Sequence, residues 1–299
     1  MYFTKHYRRG IFNKYYKGMP VFEMFLKDVN HAGLLIKHWF QNGFRNKVLL
    51  AYPHYPSRGS TMYKVAGLLG FVVSNRKRRH PDAAVYWEYA TFRKEFEFLE
   101  SISSNVPVVN LRSRNVSKKL VEELSHKIFG YGTFVDPLSY SGKIVKKNDI
   151  NAMHDGEAIQ GPINETEEGF IYQRLIDNTA SGDRVVDIRV VIVKSLLDFV
   201  YIKYRWISDR FKNPIETQIR PTEEVFSPEE VRLLNEYCRA MDLDFGEMDV
   251  LRDNNDKKIY VIDVNNTPQG PPSHISKSDG KYALQKIAAA YEKEFYKKK

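Results

Sequence analysis

The sequence predicts a mixed fold of helices and sheets, α+β in class, and three observations carry that prediction. From Lys47 onward, short apolar runs of strand length at 48–52, 70–73, 83–86 and 106–111 alternate with stretches of helical spacing at 61–69 and 90–102. That is the texture of a mainly parallel sheet layered with helices. Far along the chain, residues 246–268 read G-E-M-D-V-L-R-D-N-N-D-K-K-I-Y-V-I-D-V-N-N-T-P, where apolar runs at 248–251 and 259–264 flank a polar turn, a hairpin signal. Between these regions two helices announce their first turns, one behind Ser117 and one behind Ser227-Pro228-Glu229-Glu230, each with a hydroxyl N-cap.

In chain order, the expected units are a basic, aromatic-rich helical segment over 1–45, a small α/β domain over 46–112, and a larger domain over 113–299. The first unit has short amphipathic stretches around 21–27 and 31–40. The helix behind Ser117 should stop near Gly130, which suits the left-handed residue after a helix end. Lys143-Ile144-Val145-Lys146-Lys147 reads as a strand, whose alternation puts Lys146 and Lys147 on opposite faces. Residues 148–156 form a loop with a single glycine, and 169–177 a strand running into a linker. Strands follow from Asp187-Ile188-Arg189-Val190 and over 199–205. The helix behind Ser227 carries Val231, Leu234, Tyr237 and Met241 along one face, a core stripe to pack behind the hairpin. A Pro- and Gly-rich loop at 269–273 then precedes a final helix from about Lys281.

The chain has 299 residues, 42% of them hydrophobic, enough for a large core and one to three subdomains. No apolar run approaches the roughly 18 residues of a membrane span, and the opening Met-Tyr-Phe-Thr-Lys-His-Tyr-Arg-Arg lacks a signal peptide's apolar centre. A soluble, cytoplasmic protein is expected. Cys238, the only cysteine, excludes a disulfide framework and a Cys-based metal site, and reads as a buried thiol. Net charge is +9, and residues 1–50 hold nine Lys or Arg against two Asp or Glu. A second basic run is Arg76-Lys77-Arg78-Arg79-His80. Such patches attract phosphates, nucleic acid, anionic glycans or a membrane surface, or are simply a solvated face.

The hairpin carries the chemistry. Alternation puts Val261, Asp263 and Asn265 on one face, and a turn centred near Asp256 sets Asp249 opposite Asp263. Two carboxylates about 4 Å apart repel by roughly 4 kcal/mol at an effective dielectric near 20, so they need a cation or a shared proton. Hard oxygen donors, with Asn supplying a neutral carbonyl, suit Mg²⁺ held together with substrate phosphates. The bland alternative is a polar hairpin facing water.

In D-V-N-N-T-P, with an acid on the preceding strand, the chain resembles the ATP-grasp superfamily. The resemblance covers about 110–270 and rests on four ordered landmarks: the Lys strand, the strand containing Gln173, D-I-R-V, and the hairpin. It implies two α+β lobes sandwiching ATP, a nucleotide lobe over about 113–180 and a metal lobe over about 181–299, preceded by the small α/β domain. Asp249, Asp263 and Asn265 are then the implied Mg²⁺ ligands. Lys118 or Lys119, of which Lys119 is taken, and Lys146 or Lys147 are the implied phosphate-facing lysines, with Lys147 favoured. Asn151 and His154 lie in the place of a phosphate-covering loop that is usually richer in glycine. Gln173, Arg174 and Leu175 are implied to line the adenine slot, and Asp177 to meet the ribose.

D-I-R-V most resembles glutamate-ligase and glutathione-synthetase-like members. There Arg189 and Arg205 would face the transferred phosphoryl group or an acyl-phosphate, a task that suits a planar, paired donor. The activity implied is an ATP- and Mg²⁺-dependent carboxylate–amine ligase, with the basic N-terminal face pointing to an anionic glycan or peptide substrate. A phosphotransferase acting on a hydroxyl, or a non-catalytic nucleotide-binding protein, are the alternatives. The sequence contains neither GxxxxGK[ST] nor a kinase H-R-D signature.

Overall fold

The computed structural model describes residues 21–77, 80–151, 153 and 155–296. A helix, α1 (Val21–Gln41), precedes a four-stranded sheet built from β1 (Lys47–Pro53), β2 (Phe71–Ser74), β3 (Ala83–Trp87) and β4 (Val108–Val109). All its pairings are parallel, in the order β2-β1-β3-β4. Helices α2 (Thr61–Leu68) and α3 (Glu97–Ile102) connect the strands. Helix α4 (Lys118–Phe129) follows, capped by Ser117 and ended by Gly130 at φ 77°; a residue without Cβ takes that conformation freely.

Next comes a three-stranded antiparallel sheet, β5 (Lys143–Asn148), β6 (Glu157–Gln160) and β7 (Phe170–Arg174), in the order β6-β5-β7. The large antiparallel sheet follows: β8 (Thr179–Ala180), β9 (Arg184–Val193), β10 (Ser195–Trp206), β11 (Glu216–Pro221), β12 (Phe245–Arg252) and β13 (Ile259–Asn265). Its order is β11-β10-β9-β12-β13, with β8 on β9. Helices α5 (Thr222–Val225) and α6 (Pro228–Ala240) lie between β11 and β12, and α7 (Lys277–Tyr291) closes the fold. Ser227 and Glu230 form a reciprocal capping box at α6, which satisfies two otherwise orphaned backbone donors.

Two cores sit on opposite faces of the large sheet. On one, Val121 and Leu124 of α4 and Leu234, Tyr237 and Cys238 of α6 pack against Ile188, Val190, Val200, Met248 and Val264. On the other, Val191, Val193, Phe199, Tyr201 and Phe245 meet Leu49, Met62 and Val85 of the parallel layer, with Ala283, Ile287 and Tyr291 of α7. Residues 190–193 of β9 and 199–202 of β10 therefore read as continuous apolar runs, because both faces are covered there.

Four expectations are corrected. The two amphipathic stretches near the start are one helix, α1. The helix expected from residue 90 begins only at Glu97, because Arg93 is drawn inside to donate to the carbonyls of Tyr86, Ser113 and Asn266. The last helix starts at Lys277, where Ser276 caps it. Val261 lies in the core, not beside Asp263. Register passes from Asp249↔Asp263 to Val250↔Val261, leaving Ile262 as the extra residue of a bulge, and one inserted residue reverses the alternation beyond it.

Candidate active site

Strand alternation builds the site. On one face of the large sheet the residues are apolar beneath the parallel layer and ionic beyond it. Thus β9 presents Val193 and Val191 and then Arg189 and Asp187; β10 presents Phe199 and Tyr201 and then Lys203 and Arg205; β12 presents Phe245 and then Glu247 and Asp249. Register sets Lys203 against Asp187 and Asp249 against Arg189.

An unbroken ionic ladder results. Arg189 donates from Nε and Nη2 to the two Asp249 oxygens at 2.8 and 2.9 Å, and its Nη1 lies 3.2 Å from Glu247 Oε2. Lys203 Nζ stands 2.8 Å from Asp249 Oδ1 and 3.9 Å from Asp187 Oδ2. Arg205 is ion-paired with Asp187 and donates from Nε to the Lys212 carbonyl at 2.6 Å. Acid and base alternate from Glu247 through Arg189, Asp249, Lys203 and Asp187 to Arg205.

Burial penalises every charge here, and the neighbours decide the outcome. Burial presses the Asp249 carboxyl upward, but Arg189 and Lys203 overcome it and hold the group well below the usual carboxylate range. Burial, reinforced by Arg189, pulls the Lys203 ammonium down. At Glu247 burial wins over Arg189, and the carboxyl is pushed up to about 7. Neither Glu247 oxygen has a hydrogen-bond partner among the described residues.

The facing wall comes from β5, the start of α4 and the loop after β5. Lys147 Nζ donates to the Ile262 carbonyl at 3.2 Å, the backbone group of the bulge residue. Burial pulls this lysine down to about 8, against the attraction of Asp263. Lys118 is buried and donates to Asn151 Oδ1 at 3.0 Å. Burial raises the Asp263 carboxyl while Lys118 and Lys147 oppose the rise, and its Oδ1 is buried without a partner among the described residues.

The structure brings together Asp249, Asp263, Arg189 and Lys147, and Asp249 stands opposite Asp263 in register. Asn265 borders them, with Oδ1 accepting from Thr267 N at 2.9 Å in a local turn. Lys119 is exposed and meets the site only through its backbone N–H, which donates to Asp149; the inward lysine of the pair is Lys118. Lys146 points to the other face of its sheet, where it pairs with Glu167 and Glu157, as alternation demands. Asn151 spends its amide on the carbonyls of Val116 and Val264. His154 lies outside the described residues, as do residues 1–20, Arg78 and Arg79.

The strand expected to line an adenine slot is stapled to its surroundings. Gln173 donates to Thr133 Oγ1 at 2.6 Å. Arg174 reaches Asp253 and Asp256 in the hairpin turn and lies over the Tyr260 ring. The N–H groups of Arg174 and Leu175 donate to the carbonyls of Thr133 and Lys143. Asp177 accepts from Thr179 and Asn254. Arg205, expected to face a phosphoryl group, ends the ladder against Asp187.

Sequence reasoning missed Lys203, Glu247 and the choice of Lys118. The first two lie two residues before Arg205 and Asp249, on the same strand face, so the period-2 rule applied to every strand would have found them.

The donor set suits a hard divalent ion. Asp263 Oδ1 is an orphaned buried carboxylate oxygen, and Asp249 and Asn265 add oxygens on the same hairpin. Among the described residues no group of three or more His, Cys, Asp or Glu that could hold a metal occurs, so substrate or solvent oxygens would complete such a site. Arg189 and Lys203 already hold Asp249, and an ion there would share its oxygens with them.

With this geometry in hand, the architecture can be placed. The D-alanine–D-alanine ligase of Bacillus anthracis, solved with ATP, superposes with a TM-score of 0.54 at 12% identity, over 84% of this chain and 96% of that one. The ATP-grasp ligase PsnB, solved with a phosphomimetic variant of its minimal precursor, Mg and ADP, gives 0.54 at 11% identity, over 84% and 99%. This chain has the ATP-grasp fold. No family model matches the sequence, and no curated protein matches it.

Proposed function

We propose that this protein is an ATP- and Mg²⁺-dependent carboxylate–amine ligase acting in the cytoplasm. The observation that carries the reading is the opposed pair Asp249 and Asp263, set on a sheet face among Arg189, Lys203, Lys118 and Lys147. Mg²⁺ held by Asp249, Asp263 and Asn265 would neutralise phosphate charge. Lys147 and Lys118 would hold the phosphates from the opposite wall, Arg189 and Lys203 would face the transferring group, and the strand at 173–177 would border the base and ribose. In the reaction a substrate carboxylate oxygen displaces ADP from the γ-phosphorus. The amine nitrogen then attacks the acyl carbon, phosphate leaves, and the nitrogen loses a proton.

The neighbours in fold are ligases, one solved with ATP and PsnB with a variant of its minimal precursor, Mg and ADP, and they support a ligase reading. The excess of nine Lys or Arg over two Asp or Glu in residues 1–50 favours an anionic substrate, and a carboxylate on a peptide or glycan is the acceptor class we infer. The test is a screen of amino acids, uronic acids and short peptides with ATP, Mg²⁺ and hydroxylamine. Hydroxamate formed together with ADP and phosphate is expected. ADP formed with a stable phosphorylated alcohol, and no hydroxamate, would replace the ligase with a phosphotransferase.

A further inference from the structure

Helix α1 is amphipathic and leaves much of its apolar surface in solvent. The side against the protein is mixed: Asp28 is ion-paired with Arg58, His31 stacks on Tyr63 with ring centroids 4.8 Å apart, His38 Nε2 lies 3.1 Å from the Leu68 carbonyl, and Leu35 and Trp39 are half-buried. An apolar stripe faces out. Phe22, Leu26, Val29, Ile36 and Phe40 are 67%, 44%, 49%, 55% and 58% exposed. At 3.6 residues per turn these five fall within about 80° of arc and form a stripe about 27 Å long. Phe44 continues it beyond the helix end, 61% exposed and edge-on to Phe40. A packing role would have turned this face inward.

Charge says what the stripe meets. The 20 residues immediately before α1 contain five Lys or Arg and no Asp or Glu. Arg76 and Lys77 follow the carboxyl end of β2, where Asn75 donates to the Pro53 carbonyl; this is the end of the sheet to which Arg58 ties the early part of α1. A second copy brought against the stripe would set two such basic segments, each on a chain of net charge +9, against one another. An anionic lipid surface supplies apolar depth and opposite charge together.

We propose that α1 lies in the surface of an anionic bilayer with its apolar stripe immersed, mooring the enzyme to the membrane face. The proposal goes beyond the ligase reading and does not depend on it. The test is co-sedimentation of the full chain with vesicles of equimolar phosphatidylcholine and phosphatidylglycerol, and with phosphatidylcholine alone. The parent should bind the anionic vesicles at least about tenfold better, and salt should weaken binding. The double variant Val29→Glu, Ile36→Glu should lose that binding with an unchanged melting temperature, since both side chains are exposed. Equal binding to both vesicles, no binding by the parent, or retained binding by the variant would overturn the proposal. So would a dimer in light scattering that the variant dissolves while vesicles capture neither protein; the occupant would then be a second copy.

Discussion

Arg189 grips both oxygens of Asp249, and a paired grip is what a lysine cannot reproduce. Arg189→Lys should therefore lower turnover by about 10²–10³ although the charge is kept, with steady-state ATP hydrolysis or transfer as the measurement; parent-like rates would leave Arg189 a purely structural partner. Glu247 tests the electrostatics without turnover. Its carboxyl is raised from 4.5 to about 7, so between those values the folded state holds a proton that the unfolded state has released. Stability attributable to this group is present below about 4.5 and is lost as pH rises through about 7. Glu247→Gln removes the titration, so its melting temperature, measured without divalent ions, should gain on the parent's as pH climbs through that window. A difference constant with pH would refute the assignment. That Asp263 and Asn265 share a face, with Asp263 opposite Asp249, was legible because strand alternation holds between them. The choice of Lys118 over Lys119 was not, because the first turn of a helix offers adjacent positions whose directions only the docked helix fixes.

At the scale of elements, Glu122 of α4 holds the turn ahead of the three-stranded sheet. Its carboxylate accepts from Thr133 N, Thr133 Oγ1 and Phe134 N at 2.7–2.8 Å, and Thr133 Oγ1 in turn accepts from Gln173 on β7. Glu122→Ala strands buried donors, each worth about 1–3 kcal/mol when left unpaired. The variant should melt several degrees lower while Glu122→Gln, which keeps an acceptor, loses less; equal losses would point to packing instead. Two helices with hydroxyl caps, those behind Ser117 and Ser227, were readable to within a residue, while the one behind Ser276 starts about four residues before its expected place. The bulge at Ile262 was not, since an extra residue in a strand leaves no compositional mark. It needed the partner strand's register, and it produces the carbonyl that Lys147 takes.

Across the whole molecule, Asn110 ties the parallel layer to the large sheet. It is fully buried at φ 60°, its Oδ1 accepts from Asp244 N and Phe245 N, and its Nδ2 donates to the carbonyls of Phe245 and Asn266. Asn tolerates that backbone better than most residues. Asn110→Ala loses the conformational fit and four hydrogen bonds, and should cost roughly 3 kcal/mol or more; a denaturant midpoint within error of the parent's would refute this. The ATP-grasp fold was legible from the order of four landmarks. The junction of layers was not, because Asn110 joins segments 134 to 156 residues apart and carries no local pattern. The ionic ladder at that junction has a last consequence. Three acids face three bases along it, and with the Glu247 carboxyl held up at about 7 the ladder's charges cancel only above that pH, where it casts little field into solvent. If the protein binds a nucleotide as proposed, the ladder's share of capture there should be indifferent to ionic strength, where the proposed hold of α1 on a bilayer is not.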